Sequence, residues 1–169
     1  MKRLTLLALA FVATLGTLSA QNYIVVDSEK IFKSLDEYNT AIASLDRMAE
    51  EYQQQIDSEY EAIASLYASY KAQEAGLSAY TRQERQNVIL SREEAVEKFQ
   101  RETFGPEGTL MKKRLELIQP IQKRVFDALS RYAAAKGYDL ILDSASNPTL
   151  LYHAPKTDHT QALIEFIKQ

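Results

Sequence analysis

Residues 28–76 read SEKIFKSLDEYNTAIASLDRMAEEYQQQIDSEYEAIASLYASYKAQEAG, and apolar side chains recur along them at alternating steps of four and three. With Ile31 as the first position of a heptad, the first positions are Ile31, Tyr38, Leu45, Tyr52, Glu59 and Leu66. The fourth positions are Leu35, Ile42, Ala49, Ile56, Ile63 and Tyr70. Only Glu59 breaks the stripe. So long a first-and-fourth pattern predicts one continuous helix with a narrow apolar seam, which only another long helix can cover. At ~1.5 Å per residue it would reach roughly 70 Å, further than a compact domain of this size is wide, so the helix should project.

Upstream, Asn22-Tyr23-Ile24-Val25-Val26-Asp27 reads as a strand apolar on both faces, because β-branched and aromatic side chains suit a pleated, buried surface. Asp27 or Ser28 then caps the helix, and Glu29 places a negative charge in its first turn. Before the strand, Met1-Lys2-Arg3 precedes an uncharged run over residues 4–20 that ends in small side chains. That is the layout of a secretory signal peptide, assigned to residues 1–20. No Cys follows the run, which excludes a lipid-anchored mature end, and no Cys occurs anywhere, so neither a disulfide staple nor thiol chemistry is available.

Downstream, the helix should stop near Ala75-Gly76. Thr81-Arg82-Gln83-Glu84 has capping-box spacing, and Ile89, Val96, Phe99 and Leu110 carry a second helical stripe. A short turn between long helices predicts antiparallel neighbours. Phe104-Gly105-Pro106-Glu107-Gly108 interrupts the return helix, and Met111, Leu115, Ile118, Val125, Leu129 and Tyr132 resume the stripe out of phase. Gly-Pro-x-Gly in mid-helix costs several kcal/mol by propensity, so a kink, bulge or break is expected there, with fast amide exchange, and a milder bend at Pro120. Acidic residues dominate 36–76 and basic ones 109–136, which favours side-by-side packing of the two arms.

Gly137 ends the return helix. Tyr138-Asp139-Leu140-Ile141-Leu142-Asp143 reads as a second strand and Thr149-Leu150-Leu151-Tyr152-His153 as a third, joined in a hairpin through turn residues 144–148. Beyond Pro155, Thr157 or Asp158 should cap a terminal helix through Lys168 that buries Ala162, Leu163, Phe166 and Ile167.

The expected fold class is therefore α+β and mostly helical, a small β body with a long projecting antiparallel helical hairpin. After the signal peptide, residues 21–169 form one domain, with residues 21–30 and 137–169 as body and 31–136 as arm. About fifty residues of body split between the chain's two ends are close to the minimum for an unstapled core, and their strands have open edges. Several copies pooling their strands would remove both problems, so an oligomer is expected, with Ile24, Val25, Val26, Leu140, Ile141 and Leu142 at its interface. Losing Lys2 and Arg3 with the signal peptide would take the formal net charge from −3 to −5, which does not suggest a nucleic-acid binder.

The outline and three local patterns resemble the Skp/OmpH family of periplasmic chaperones. Ile24-Val25-Val26-Asp27 with Ile31-Phe32 is similar to the family's opening strand and helix start. Leu117-Ile118-Gln119-Pro120-Ile121 is similar to its proximal return helix, and Lys136-Gly137-Tyr138-Asp139-Leu140-Ile141-Leu142-Asp143 with Leu151-Tyr152 to its closing strands. The resemblance implies a soluble periplasmic homotrimer with a small β-barrel body, whose helical arms hold unfolded outer-membrane proteins without ATP and without stable membrane insertion. Its best-known members are strongly basic. This chain is acidic, which argues against carrying over affinity for lipopolysaccharide or anionic lipid.

Catalysis is not expected. His153 and His159 are the only histidines, lie in different predicted elements and have no Cys beside them, and no phosphate-binding glycine loop or Ser/His/Asp arrangement occurs. No cofactor or metal is implied. Ten Tyr against no Trp is the informative bias. Tyr52 and Tyr70 fall on the seam; Tyr60 and Tyr67 fall one position beyond it and widen the distal stripe to Ile56, Tyr60, Ile63, Leu66, Tyr67 and Tyr70. A widened stripe either packs a bulkier return arm or leaves aromatic surface open to bind another chain, and these six are the candidate client-binding residues. Two readings remain, a holdase of unfolded outer-membrane proteins and a structural coiled-coil spacer of the cell envelope.

Overall fold

Strand β1, Tyr23–Val26, opens the described part of the chain; the computed structural model describes residues 22–168, and the expected signal peptide lies outside them. Asp27 follows in extended conformation, and its carboxylate accepts from the Lys30 backbone N–H at 2.9 Å, which starts helix α1, Ser28–Lys33. The continuous helix expected from residue 28 does not form. Ser34 turns its hydroxyl back onto the Ile31 carbonyl at 2.7 Å, Leu35 is extended and buried, and helix α2 begins afresh at Asp36–Gln73 with Asp36 and Glu37 in its first turn. Heptad spacing runs through this corner unbroken because Ile31 and Leu35 are both buried. The spacing reports which side chains are covered, and that does not require an unbroken helical backbone.

A 3-10 turn, Glu74–Gly76, leads to helix α3, Ala79–Phe104, then helix α4, Thr109–Lys136, strand β2, Leu140–Asp143, a 3-10 turn, Pro155–Thr157, and helix α5, Thr160–Ile167. The described chain is mostly helical with one two-stranded sheet. By its contacts it divides into two units. One contains the described residues up to Ser34 and from Arg124 onward; the other is Leu35–Lys123.

In the first unit β1 and β2 pair in parallel, with Tyr23, Ile24, Val25 and Val26 opposite Leu140, Ile141, Leu142 and Asp143. On its other side β1 forms a bridge from Val25 to Asp158, and the His159 N–H donates to the Val25 carbonyl at 2.9 Å. Occupied on both edges, β1 is central, which is why Ile24, Val25 and Val26 are all buried. The expected hairpin between β2 and residues 149–153 is absent. Beyond β2, the Asp143 carboxylate gathers the loop, accepting from the Ala145 N–H and the Ser146 hydroxyl, and Leu151 and Tyr152 are left 91% and 80% exposed. Asn147 takes the Leu150 N–H at its carbonyl and the Thr149 N–H at its side chain, both at 3.1 Å, so the run begins in a local turn and not in a ladder on the outer edge of β2.

Helix α4 closes on Gly137, whose φ of +72° admits the left-handed turn, and the Tyr138 N–H reaches the Ala133 carbonyl at 3.0 Å. The terminal helix starts later than expected. Asp158 accepts from the Thr160 N–H at 2.9 Å, and the helix buries Thr160 and Leu163 with Phe166 and Ile167 half-buried, whereas Ala162 is exposed. Thr160 Oγ1 also accepts from the Asp27 N–H at 2.9 Å and donates to Asp158 at 2.6 Å, tying helix α5 to the end of β1.

Asp143 also accepts from the Ser28 N–H at 3.0 Å and the Ser28 hydroxyl at 2.7 Å, joining residues 115 positions apart. Partial burial raises its pKa, but the hydrogen bonds from Ser146, Ser28 and Ala145 outweigh that and bring it from 3.8 down to about 2. A group with a depressed folded pKa contributes its full stability above the unfolded value. Stability is therefore expected to fall as the pH drops from about 4 to about 2, by no more than about 2 kcal/mol. Asp143→Asn should unfold at lower urea at pH 7 and show a flatter profile across that window. An unchanged profile would remove Asp143 from this role.

Candidate functional site

In the second unit, cross-helix contacts pair residues in opposite order along α2 and α3. Gln73 meets Arg85, Tyr70 meets Gln86, Glu59 meets Arg92 and Tyr52 meets Phe99, so the two helices run antiparallel. Ser78, not Thr81, caps α3, its hydroxyl accepting from the Thr81 N–H at 3.1 Å. Serine three residues before a threonine satisfies the Thr81 N–H, one turn earlier than the Glu84 N–H that the expected capping box would take.

The distal pair buries Ile56, Ile63 and Tyr70 from α2 against Ile89 and Val96 from α3, with Leu77 and Phe99 packed on that cluster. On each helix the buried side chains come seven apart. Helix α3 thus fully buries one apolar side chain per heptad, Ile89 and Val96, with Phe99 partly buried beside them, where a full seam needs two, and of the distal positions of α2 it buries only the fourth ones. Of the first positions here, Tyr52 is half-buried with its ring edge 6.0 Å from Phe99, and Leu66, expected in the seam, is exposed.

The six candidate client-binding residues therefore divide. Ile56, Ile63 and Tyr70 are buried core between the helices, while Tyr60, Leu66 and Tyr67 are open, Tyr67 being 52% exposed. The open three also part company. Leu66 lines a groove of about 470 Å³ with Val88, Arg85 and Glu84. Tyr67 lines another of about 310 Å³ with Leu90, Gln86 and Glu93, and Tyr60, one heptad before it, shares its side of α2. Tyr70 and Ile89 line both grooves and separate them. Sequence reading missed Val88, Leu90 and Tyr80, all exposed on α3. Helical spacing carried a signal, since Val88 and Leu90 flank the Ile89 core position.

A third groove, about 520 Å³, lies at the helix break, lined by Leu45, Ala49, Phe104, Leu110 and Met111 with Asp46 and Arg114. The break is a tight turn closed by one backbone bond of its own, with helical i→i−4 bonds on either side. The Gly105 N–H donates to the Arg101 carbonyl at 2.9 Å, the Gly108 N–H to Gly105 at 2.8 Å and the Lys112 N–H to Gly108 at 3.1 Å. A Cβ on Gly108 would lie 2.5 Å from the Thr103 carbonyl oxygen, and one on Gly105 2.3 Å from that of Arg101. The Gly105 and Gly108 amides are therefore expected to be protected, which narrows the fast-exchanging stretch expected from the sequence. Gly108→Ala should cost about 2–3 kcal/mol by urea unfolding, and full tolerance would show that the turn relaxes.

The residues expected at an oligomer interface also part. Ile24, Val25 and Val26 are covered within the chain, Ile141 and Leu142 are half-buried and Leu140 is 48% exposed. In the same unit His159 stands between Tyr132, whose hydroxyl is 2.9 Å from Nδ1, and Tyr138, whose hydroxyl is 3.4 Å from Nε2, with Phe166 edge-on to Tyr132. No cluster of three or more potential metal-ligating acids or histidines occurs among the described residues, and no described helix is long and apolar enough to cross a membrane.

The family model for outer membrane protein (OmpH-like) matches residues 22–167. Among solved structures, the chain is similar to an OmpH-like protein of Caulobacter crescentus CB15 named as a candidate outer membrane chaperone, at 10% identity and a TM-score of 0.69, over 89% of this chain and 86% of that one. At that identity the likeness concerns the fold. The curated proteins contain no significant match.

Proposed function

The chain belongs to the OmpH-like outer membrane protein family, and from that premise we propose that it is an ATP-independent periplasmic holdase, exported behind a removable signal peptide, that keeps unfolded outer-membrane proteins from aggregating. The observation that carries this reading is the incomplete coverage of the distal helix pair. Tyr60, Leu66, Tyr67, Tyr80, Val88 and Leu90 stay exposed on two helices whose shared core is a single row. A spacer would gain stability by covering such side chains. A holdase needs them open, since unfolded β-barrel proteins present alternating apolar side chains, and release without ATP requires many contacts of modest strength.

The active form in this reading is an oligomer, a homotrimer by family membership, assembled through the strand-containing unit. Support comes from β2, whose outer edge has no partner among the described residues, from exposed Leu140, Leu151 and Tyr152, and from the His153 Nδ1, which is buried with no hydrogen-bond partner among them. The test is light scattering from an unfolded β-barrel protein diluted out of denaturant. Suppression by less than one assembled oligomer per client would support the holdase; aggregation that proceeds unchanged would favour the envelope spacer.

A further inference from the structure

The exposed residues do not account for why Tyr70 and Ile89, both buried between the helices, form a partition between two grooves. The groove beside Leu66 and Val88 and the groove beside Tyr67 and Leu90 meet at Tyr70 and Ile89. If the helices part at this end, the two grooves become one channel with Leu66, Tyr70, Val88, Ile89 and Leu90 along it and polar side chains at its rim.

The end is held by side-chain polar bonds. The Tyr70 hydroxyl donates to Glu74 Oε1 at 2.8 Å and accepts from Gln86 Nε2 at 2.8 Å, and Lys71 Nζ holds the other Glu74 oxygen at 3.0 Å while lying 5.9 Å from the Tyr67 ring centroid and 5.8 Å from that of Tyr70. Across the Leu66 side, Arg85 donates to Gln73 Oε1 at 2.9 Å. Hydrogen bonds first from Lys71 and then from Tyr70 keep the Glu74 carboxyl below the usual carboxylate range, so it is charged and accepting at neutral pH. Beneath these bonds lies the single-row core, too thin to hold the pair shut over its whole length, and the Glu59–Arg92 contact further along is 3.7 Å.

We propose that the Tyr70–Glu74–Gln86 bonds, with Lys71, form a latch at the turn end of the helix pair, whose opening exposes Ile63, Tyr70 and Ile89 as a second, internal set of contacts for apolar side chains of an unfolded client. The inference rests on the holdase reading and concerns the same arm. Closed, the arm shows a modest exposed surface compatible with solubility; open, it matches a client that brings more apolar surface. The client's own burial offsets the lost helix contacts, so no nucleotide is needed.

Two variants test it. Tyr70→Phe keeps the ring in the core and removes both hydroxyl bonds; amide exchange in residues 63–73 and 86–93 should rise severalfold, with residues 124–136 unchanged, and binding of a naphthalene-sulfonate dye should increase. Gln73→Cys with Arg85→Cys, in a chain that has no other cysteine, should close the pair on oxidation and lose half or more of its suppression of β-barrel protein aggregation, recovered on reduction. Equal holding by the oxidised and reduced forms, or exchange unchanged by Tyr70→Phe, would overturn the latch. If the wild-type protein holds no client, the holdase reading fails first and the latch with it, a result distinct from equal holding.

Discussion

Val25→Asp is expected to leave the strand-containing unit unfolded and the protein monomeric. Val25 is 0% exposed, paired with Leu142 on one side and bridged to Asp158 on the other, so the new carboxylate would meet neither water nor a cation. Lost valine burial and a stranded charge together cost about 4 kcal/mol or more, a large part of the total for a core this small. Sedimentation should give the mass of one chain, with amide protection lost over 22–34 and 124–168. Leu151→Asp is the companion measurement. At 91% exposure Leu151 contributes little to its own chain, so that variant should keep its amide protection and lose only assembly. A folded, stable Val25→Asp protein would show that β1 is not the centre of this unit; an assembled Leu151→Asp protein would put the interface elsewhere.

Tyr60→Ser combined with Tyr67→Ser is expected to weaken client holding by roughly tenfold or more while helicity and assembled mass stay unchanged. Each ring offers a large apolar face with little rotamer freedom to lose and a hydroxyl that tolerates water between encounters, and each contact with a client is worth about 1 kcal/mol or somewhat more. Neither residue belongs to the row of Ile56, Ile63 and Tyr70, so the helix pair should be indifferent to their loss. Raising salt should change affinity little, because an acidic chain cannot rely on attraction to acidic clients. The measurement is client affinity by fluorescence titration at low and high salt. Undiminished affinity in the double variant, or collapse at moderate salt, would move the binding surface to the basic stretch at Lys112, Lys113 and Arg114.

Much of this architecture is legible along the chain because the signals are local. Asp27 caps the helix that starts at the next residue by taking the N–H three residues ahead, Gly137 permits a left-handed turn at its own position, and Phe104-Gly105-Pro106-Glu107-Gly108 removes helical bonds wherever it stands. The apolar period of α2 announces a long helix with a covered face. These features depend on backbone chemistry and on neighbours within a turn or two, so the order of residues is enough to read them, as it is for the resemblance carried by 136–143.

What required the folded chain is every choice of partner. Nothing local states that β1 takes β2 in parallel and residue 158 on its other edge, and so nothing local could foresee that residues 149–153 would remain unpaired. The corner at Ser34 and Leu35 was invisible because a side chain's burial and its backbone's helicity are separate facts. The division of the distal stripe turned on helix α3: whether Leu66 is core or surface depends on what stands opposite it, and α3 fully buries one residue per heptad, Ile89 and then Val96. Burial belongs to a pair of surfaces, and the spacing of one helix describes only half of each pair.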